Sequence, residues 1–213
     1  KEAFCLMRDE VINYLIKSLK FDAISIKKLD KFCINVLSFN KRYNLISSST
    51  ESDIWKRHVL DSAQLVKFID FTANSSLSDL GSGAGFPGLV LAIYNKNPHF
   101  HVKLFEKSRV KGSFLRNMIK DLDISAEIFV GDLKGQDIES NYIVCRAFKK
   151  LPEIMRISRE KIKKNHKIII LKGKSAQEEV NKALKEKVFE YKLVDSITDK
   201  ESKILLIDAN KSE

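Results

Sequence analysis

The sequence predicts an α/β protein with a seven-stranded, mostly parallel sheet, an antiparallel last strand and an N-terminal helical extension. Three observations support this prediction. Apolar residues recur at helical spacing within residues 1–70. From residue 76 onward, short apolar runs alternate with helical stretches, which is typical of a doubly wound sheet. A short turn joins the two closing runs, residues 191–195 and 203–208, which indicates an antiparallel hairpin at one edge.

The composition limits the size, location and partners of the protein. Its 213 residues, 44% of them hydrophobic, suffice for one sizeable α/β domain and an appendage. A net charge of +10 favours a polyanionic partner, with nucleic acid first. Cys5, Cys33 and Cys145 form no C-x-x-C pair, which fits a reduced cytoplasm and argues against a metal site. No apolar stretch reaches 18 residues, so we expect no membrane span and no membrane partner.

The first 72 residues predict three helices. Apolar residues three and four apart define the first helix: Phe4, Met7, Val11, Tyr14 and Leu15. The second helix runs from about Ser25 to Asn40, and its apolar face consists of Leu29, Phe32, Cys33, Val36 and Leu37. Residues 47–50 predict a loop, after which Ser52 or Asp53 caps a third helix that continues to about Ile69.

Residues 73–213 predict the sheet domain, and residues 1–72 are expected to line the substrate side of its cleft in one compact unit. The predicted strands are Ser76–Leu80, His101–Glu106, Glu127–Val130, Tyr142–Ala147, Lys167–Leu171, Tyr191–Asp195 and Lys203–Asp208. One helix begins at Pro87, since proline is common in a first turn, and continues to about Tyr94. A second helix runs from Arg109 to Leu122.

Glycines cluster directly after the first predicted strand. The chain has eight glycines, and four of them stand here: Gly81, Gly83, Gly85 and Gly88. Glycine lets a backbone turn tightly and lets a ligand approach it closely. A strand, a glycine turn and a helix in succession are how α/β folds hold a nucleotide-like cofactor. This turn therefore predicts a cofactor site, although a glycine-rich turn without a ligand is an alternative.

The spacing of the glycines is compatible with two cofactors. The last three glycines match G-x-G-x-x-G, and Glu106 has about the spacing of a ribose-binding acid, which would indicate an NAD(P)-dependent oxidoreductase. However, the turn already begins at Gly81, and Pro87 lacks the N–H that a pyrophosphate would need. Asp79 followed by G-x-G-x-G resembles the first motif of class I S-adenosylmethionine-dependent methyltransferases. S-adenosylmethionine is therefore the favoured cofactor.

Several side chains near the predicted strand ends are candidates for binding this cofactor. The carboxylate of Asp79 would lie near the cationic sulfonium and the amino acid. Glu106 ends the second strand at the ligand-binding edge of the sheet, so its carboxylate suits two ribose hydroxyls, or it is only solvated there. Phe86 would pack either on the cofactor or in the core. Leu133 and Lys134 would meet the adenine through their backbone, or form an ordinary surface turn.

Arg146 closes the fourth predicted strand. A cation at the end of an apolar strand is costly if it is buried without a partner, so it should meet an acid, a phosphate or the acceptor substrate. The carboxyl end of the fourth strand flanks the transferable methyl group in this type of sheet. The alternative is a structural ion pair with an acid such as Asp79 or Asp132.

Two groups in the N-terminal segment are candidates for acceptor contacts. Arg57, His58 and Asp61 share one helix face, although this spacing is more typical of a solvent-facing ion pair. Asn44 follows Tyr43, whose ring suits stacking on a base beside basic neighbours. Elsewhere, lysines and arginines cluster within residues 107–116 and 149–164, as phosphate contacts or solvated faces, and Lys172 could face the cleft.

Five strings, in this order, resemble the bacterial small-subunit rRNA guanine-N7 methyltransferase family, also called methyltransferase G or glucose-inhibited division protein B: Tyr43-Asn44-Leu45, Arg57-His58-x-Leu60-Asp61-Ser62, Asp79-Leu80-Gly-Ser-Gly-Ala-Gly-Phe-Pro-Gly88, Arg146-Ala147-Phe148 and Leu171-Lys172-Gly173. The resemblance spans nearly the whole chain. It implies a Rossmann-like class I methyltransferase fold. It also implies cytoplasmic methylation of one guanine in 16S rRNA of the small ribosomal subunit, with S-adenosylmethionine as methyl donor.

The resemblance also assigns roles to residues. It implies active-site or RNA contacts for Asn44, Arg57, His58 and Asp61. It implies cofactor binding for Gly81, Phe86, Leu133, Lys134 and Arg146, and Arg146 is also a catalytic candidate because it ends the fourth strand. Together with the residue-based arguments, the expected cofactor-binding set is Asp79, Gly81, Gly83, Gly85, Phe86, Glu106, Leu133, Lys134 and Arg146. The chain departs from the family at Asp132, where an arginine is frequent, and at residues 201–203, where Arg-His or His-Leu is frequent. A non-catalytic RNA-binding protein is the remaining alternative, and a monomer is expected.

Overall fold

A computed structural model of the chain describes residues 8–184 and 189–209. Its seven-stranded sheet has the order β3-β2-β1-β4-β5-β7-β6. The strands are β1 (Ser76–Leu80), β2 (His101–Glu106), β3 (Glu127–Val130), β4 (Tyr142–Arg146), β5 (His166–Lys172), β6 (Tyr191–Asp195) and β7 (Lys203–Ala209). The first five strands are parallel, whereas β7 is antiparallel to both β5 and β6. The predicted fold class is therefore confirmed.

Seven α-helices accompany the sheet within the described residues: α1 (Arg8–Lys17), α2 (Ala23–Asn40), α3 (Asp61–Ala63), α4 (Gly88–Tyr94), α5 (Arg109–Asp121), α6 (Leu151–Lys161) and α7 (Ala176–Leu184). The first residue of α2 follows Asp22, whose side chain accepts a hydrogen bond of 2.7 Å from the N–H of Ser25. This cap satisfies a donor that the first turn leaves unpaired. Phe4, Cys5 and Met7, which the sequence placed at the start of the chain, lie outside the described residues.

The predicted loop at residues 47–50 and the predicted third helix are wrong in detail. Residues 48–68, called here the 48–68 segment, form four short helical pieces: a 3-10 helix (Ser48–Asp53), a π-helix (Trp55–Leu60), α3 and a second 3-10 helix (Gln64–Phe68). Neither Ser52 nor Asp53 caps a helix, because the first 3-10 helix already begins at Ser48. Within the π-helix, Trp55, His58, Val59 and Leu60 are buried.

Two apolar clusters lie on opposite faces of the sheet. Alternate residues of β5 divide between them: Ile169 and Leu171 belong to one cluster, Ile168 and Ile170 to the other. The first cluster contains α1, α2, the 48–68 segment, α4 and α5. The second contains α6 and α7. Residues on both sides of the predicted boundary at residue 72 therefore share one apolar core, on one face of the sheet.

The ends of a few elements differ from the predicted ends by one residue. The fourth strand stops at Arg146 rather than Ala147, because Ala147 has a φ of 47° and leaves the extended conformation. Pro87 is the residue before α4 rather than its first residue. Among the described residues, no helix is both long and apolar enough to cross a membrane.

Candidate active site

The glycine turn after β1 is held by backbone hydrogen bonds to the end of β2. The N–H groups of Gly81 and Ser82 both donate to the carbonyl of Phe105 at 2.9 Å, and the N–H of Gly83 donates to Oε2 of Glu106 at 2.8 Å. Gly81 and Gly83 have φ values of 72° and 56°, which residues with a Cβ adopt only with strain. The turn therefore presents its backbone at the carboxyl edge of the sheet, as the sequence predicted.

Glu106 is a fixed acceptor at the floor of this turn. Its side chain is buried, and its Oε1 accepts a 2.7 Å hydrogen bond from the N–H of Ser108 while its Oε2 binds Gly83. An ionised carboxylate accepts about four hydrogen bonds. Two acceptor positions therefore remain for a ligand that carries paired hydroxyl groups.

Two adjoining cavities surround Glu106. The glycine-turn cavity has a volume of about 460 Å³, and its lining includes Gly81, Glu106, Leu133, Lys134 and Phe148. The Phe86 cavity has a volume of about 300 Å³, and its lining includes His58, Gly83, Phe86, Glu106 and Arg146. Seven of the predicted cofactor-binding residues thus line at least one of the two cavities: Gly81, Gly83, Phe86, Glu106, Leu133, Lys134 and Arg146.

The first two glycines of the turn differ in what surrounds them. A Cβ added to Gly81 would lie 2.4 Å from Cδ2 of Phe148, so this ring packs directly on the turn. A Cβ added to Gly83 would meet nothing nearer than the carbonyl oxygen of Gly81 at 3.8 Å. The backbone at Gly83 is therefore open to a ligand, which satisfies the requirement for close approach.

Asp79 and Gly85 line none of the cavities described here, contrary to the cofactor contacts expected from the sequence. Asp79 is completely buried, and its Oδ2 accepts a 3.0 Å hydrogen bond from the N–H of Gly88. Burial raises the pKa of Asp79 to about 7, and its Oδ1 has no hydrogen-bond partner among the described residues. A Cβ on Gly85 would approach Phe32 and Leu89 within 3.0 Å. Asp79 and Gly85 therefore support the turn from its buried side.

Phe86 combines the two roles that the sequence left open. Its side chain is buried, and its ring lies 5.0 Å from the rings of both Phe32 and His58. The same residue forms part of the wall of the Phe86 cavity. The ring therefore connects α2 to the cavity wall.

His58 and Arg146 form a hydrogen-bonded pair between the 48–68 segment and the end of β4. Nη1 of Arg146 lies 3.1 Å from Nδ1 of His58, and Nε2 of His58 lies 2.8 Å from Oγ1 of Thr50. A guanidinium only donates, so Nδ1 must accept and the ring proton must be on Nε2. Burial, together with the neighbouring charge of Arg146, lowers the pKa of His58 to about 3. His58 is therefore a neutral acceptor at ordinary pH.

Asp61 is the acid that faces Arg146, whereas the sequence suggested Asp79 or Asp132. Its Oδ2 lies 3.7 Å from Nη1 of Arg146. Asp132 instead lies near Lys107, at 3.8 Å. Burial raises the pKa of Asp61, while the charge of Arg146 and nearby hydroxyl donors act in the opposite direction.

The ion pair between Arg57 and Asp61 that the helical spacing suggested does not form. Nη1 of Arg57 instead lies 3.2 Å from Oδ2 of Asp199, in the turn before β7. His58 and Asp61 are buried or nearly so, not solvent-facing. Asp61 instead points inward, where it faces Arg146 and accepts a hydrogen bond from Thr198.

A third cavity, the Arg146 cavity, lies beyond β4 and has a volume of about 430 Å³. Its lining is rich in cations: Arg57, Arg146, Lys149, Lys150 and Lys172. The acids in the same lining are Asp61 and Glu179, and Glu179 pairs with Lys172 at 2.6 Å. Ala147 lines all three cavities, so they adjoin at the carboxyl end of β4. A positive cavity beside a cofactor-sized one suits an anionic acceptor.

Asn44 is exposed and lines none of these three cavities, although its neighbours Leu45 and Ile46 line the Phe86 cavity. The residue that holds this loop is Asn40, which the sequence analysis did not single out as functional. Its Oδ1 accepts hydrogen bonds from the N–H groups of Leu45 and Ile46, at 2.7 and 3.0 Å, and its Nδ2 donates to Glu51. An asparagine at the end of an amphipathic helix was the available signal.

No group of three or more His, Cys, Asp or Glu side chains in residues 8–184 and 189–209 is arranged to hold a metal ion. Cys33 and Cys145 are both buried and free.

Comparison with known proteins adds a family to this geometry. Residues 25–207 match the family profile described as GidB, rRNA small subunit methyltransferase G. The chain is 31% identical over 207 residues to ribosomal RNA small subunit methyltransferase G of Pelagibacter ubique strain HTCC1062, across 94% of this chain and 97% of that one. It is 37% identical over 182 residues to the protein of the same name from Rickettsia bellii strain OSU 85-389, across 85% and 92%.

A solved structure shares the fold. The crystal structure of an RNA methyltransferase from Salinibacter ruber in complex with S-adenosyl-L-homocysteine superposes with a TM-score of 0.52 at 15% identity. The match covers 71% of this chain and 92% of that one. The two proteins thus share the fold.

Proposed function

The chain belongs to the rRNA small subunit methyltransferase G family, and from this premise we propose that it transfers a methyl group from S-adenosylmethionine to N7 of a guanine in 16S rRNA. One observation carries the proposal beyond the family. The glycine-turn cavity, with its free carboxylate positions, adjoins the cationic Arg146 cavity at Ala147. A methyl donor in one cavity and an RNA base in the other would meet at the end of β4.

The residues around the glycine turn fit S-adenosylmethionine. Glu106 retains acceptor capacity for the two ribose hydroxyls, and the open backbone at Gly83 allows close approach. Leu133 and Lys134, in a 3-10 turn after β3, would meet the adenine. When bound, the cofactor supplies an electrophilic methyl group. The cationic sulfonium requires no phosphate-binding donors, which agrees with a Pro87 that has no N–H.

Methylation of guanine N7 fits the protonation states of the site. N7 carries an exposed lone pair, so transfer requires no general base, and the protein contributes mainly proximity and orientation. His58, a neutral acceptor whose pKa is lowered to about 3, is accordingly a spacer rather than a proton shuttle. Because the methylated ring is cationic, we place Arg146 off the methyl axis, against O6 or the cofactor carboxylate. Asp61 would orient the base.

The acceptor is an RNA on several grounds. The net charge is +10, and five cationic side chains line the Arg146 cavity. Tyr43 and Asn44 are exposed beside the Phe86 cavity, where they would contact nucleotides next to the target. An rRNA acceptor places the reaction in the cytoplasm. We further propose that a monomer acts.

The test is transfer of tritiated methyl groups from S-adenosylmethionine to small ribosomal subunits that lack the modification. The modified base is then mapped by strand cleavage at N7-methylguanine. We expect a single modified guanine in 16S rRNA. Incorporation at another atom or into another RNA would contradict the finer proposal. Stabilisation by NADH instead of S-adenosylhomocysteine in a thermal unfolding assay would favour the oxidoreductase alternative.

A further inference from the structure

The turn between β6 and β7 is docked against the 48–68 segment by side-chain hydrogen bonds. Gln64 lies at the centre of this contact: its Nε2 donates to Oγ of Ser196 and to Oδ1 of Asp61, both at 3.0 Å. Its Oε1 accepts a 3.0 Å hydrogen bond from the N–H of Ile197. The last hairpin of the sheet is thereby connected to the segment that carries His58 and Asp61.

A chain of two hydroxyl groups leads from this turn to Asp61. Oγ1 of Thr198 lies 2.9 Å from Oδ1 of Asp61, and Oγ of Ser196 lies 2.8 Å from Oγ1 of Thr198. A hydroxyl has one proton to donate, and an ionised carboxylate only accepts. Thr198 therefore donates to Asp61 and accepts from Ser196, whose own distance to Asp61 is longer, at 3.4 Å.

The two oxygens of Asp61 have different tasks. Oδ1 accepts from Gln64 and Thr198, whereas Oδ2 faces the guanidinium of Arg146 at 3.7 Å. That distance is too long for a direct hydrogen bond, so the guanidinium is held by charge on this side and by His58 on the other. The position of the Arg146 guanidinium consequently depends on the charge and on the position of the Asp61 carboxylate.

We infer that Thr198 is a positioning residue of the methyl-transfer site, which holds the Asp61 carboxylate so that Asp61 in turn holds Arg146 at the acceptor base. Thr198 itself lines the Arg146 cavity and is buried. The inference rests on the proposed function for the identity of the reaction, but the contact it describes is a property of the protein alone.

The contact has a consequence for pH dependence. Two charged groups act on Asp61 directly, Arg146 on β4 and Arg57 on its own segment. Each of them has a further titratable partner, because His58 hydrogen-bonds to Arg146 and Asp199 pairs with Arg57. Burial raises the pKa of Asp61, and the hydroxyl of Thr198 counteracts this effect. Without that hydroxyl, Asp61 would take up a proton at a higher pH. Arg146 would then lose its counter-charge at that pH.

The experiment compares Thr198→Val, which removes the hydroxyl and keeps the shape, with Thr198→Ser, which keeps the hydroxyl. Thr72→Val is the matched control, because Thr72 also donates to an aspartate, Asp70, but in an exposed turn. We expect T198V to lower kcat/KM for the RNA about tenfold, with the KM for S-adenosylmethionine unchanged. The acid limb of its pH profile should move to higher pH. T198S should restore both properties, and T72V should alter neither.

A second measurement does not depend on activity. The carbon-13 signal of the Asp61 carboxyl group, assigned with Asp61→Asn, is titrated by nuclear magnetic resonance in the wild type, T198V and T198S. An upward shift of the Asp61 pKa in T198V alone supports the inference even if the RNA acceptor proves wrong. An unchanged titration and an unchanged pH profile in T198V would overturn it. A loss that T198S fails to restore would also overturn it, because the hydroxyl would then be irrelevant.

Discussion

The glycine turn and the cluster around Arg146 face each other across the same cleft but are held together in different ways. The turn consists of neighbours in sequence, and its N–H groups fix it to the end of β2: Gly81 donates to the carbonyl of Phe105 and Gly83 to the carboxylate of Glu106. The Arg146 cluster joins Asp61, Arg146 and Thr198 from three distant parts of the chain through side chains alone. The turn is thus held through its own backbone N–H groups, whereas the cluster is held only by side chains that are distant in sequence.

This difference determines how each region should respond to substitution. A turn that depends on positive φ values tolerates no Cβ at the crowded position, whatever side chain follows. A side-chain cluster loses its function in steps, because each hydrogen bond can be removed separately. The turn should therefore fail abruptly and the cluster gradually.

The largest effect is expected when Gly81 is replaced by alanine. The new Cβ would lie 2.4 Å from the ring of Phe148, in a residue with a φ of 72°, so both the turn and the aromatic wall of the glycine-turn cavity must move. We expect methyl transfer to fall by about 100-fold or more, with loss of thermal stabilisation by S-adenosylhomocysteine. Rates and unfolding midpoints are measured on the same preparations.

Gly83→Ala is the matched control for this prediction. Its φ of 56° imposes similar backbone strain, of about 1 kcal/mol, but its Cβ meets no neighbouring atom within 3.4 Å. Because the cofactor approaches the open backbone at Gly83, G83A should also weaken its binding, so the two variants are compared by the stability of the protein without cofactor. We expect G83A to be clearly more stable than G81A, and equal losses of stability would show that strain alone, and not the contact with Phe148, sets the effect.

In the side-chain cluster, Arg146→Ala should have the largest effect on transfer. The variant removes the cation that faces Asp61 and His58 and leaves a partly buried carboxylate without its counter-charge. We expect kcat/KM for RNA to fall by more than about tenfold, with a smaller change in the affinity for S-adenosylhomocysteine. Arg8→Ala, which removes a guanidinium from the ion pair with Asp30, is the control. Near-normal turnover in R146A would remove Arg146 from the site.

His58 should make the stability of the fold depend on pH. Its pKa is lowered from 6.5 to about 3, so between these values the unfolded chain binds more protons than the folded one. Stability is therefore present in full above the unfolded pKa and is lost as the pH falls. From pH 7 to pH 5 we expect the wild type to lose about 2 kcal/mol that His58→Gln does not lose. Urea unfolding at each pH measures this difference, with His99→Gln as an exposed control.

Asp79, beneath the glycine turn, should show the opposite slope. Burial raises its pKa from 3.8 to about 7, so between these values the folded chain binds more protons and stability falls as the pH rises. Asp79→Asn removes this dependence. We expect the stability of D79N relative to the wild type to increase by about 1 kcal/mol for each pH unit in that window. A difference that stays constant with pH would mean that Asp79 remains ionised when buried.

The sequence was sufficient for most of the fold. Strand bounds were predictable because apolar runs end at glycine or acidic residues, as at Leu80 before Gly81. The helical pieces of the 48–68 segment were not predictable. Its π-helix depends on the tertiary burial of Trp55 and His58, and the spacing of apolar residues does not reveal that burial. The same residues are equally compatible with a regular α-helix.

In the candidate site, too, local features were predictable from the sequence and long-range side-chain contacts were not. The positions of Gly83 and Glu106 followed from the strand-turn pattern, since neighbouring parallel strands end at one edge. The partner of Arg146 did not follow, because Asp61 lies 3.7 Å away only after the helical segment docks on the sheet. Thr198 carried no sequence signal at all, because a threonine in a hairpin turn is ordinary.

The smallest effect is expected at the outer edge of the same hairpin turn, in the pair between Arg57 and Asp199. Both side chains are at least one-third exposed, and their atoms lie 3.2 Å apart, so solvent and salt screen the attraction. We expect Asp199→Asn to change stability by less than about 0.5 kcal/mol and transfer by less than about twofold. Urea unfolding and the RNA methylation assay check both values. An effect as large as that of T198V would mean that the turn acts through Arg57 rather than through Asp61.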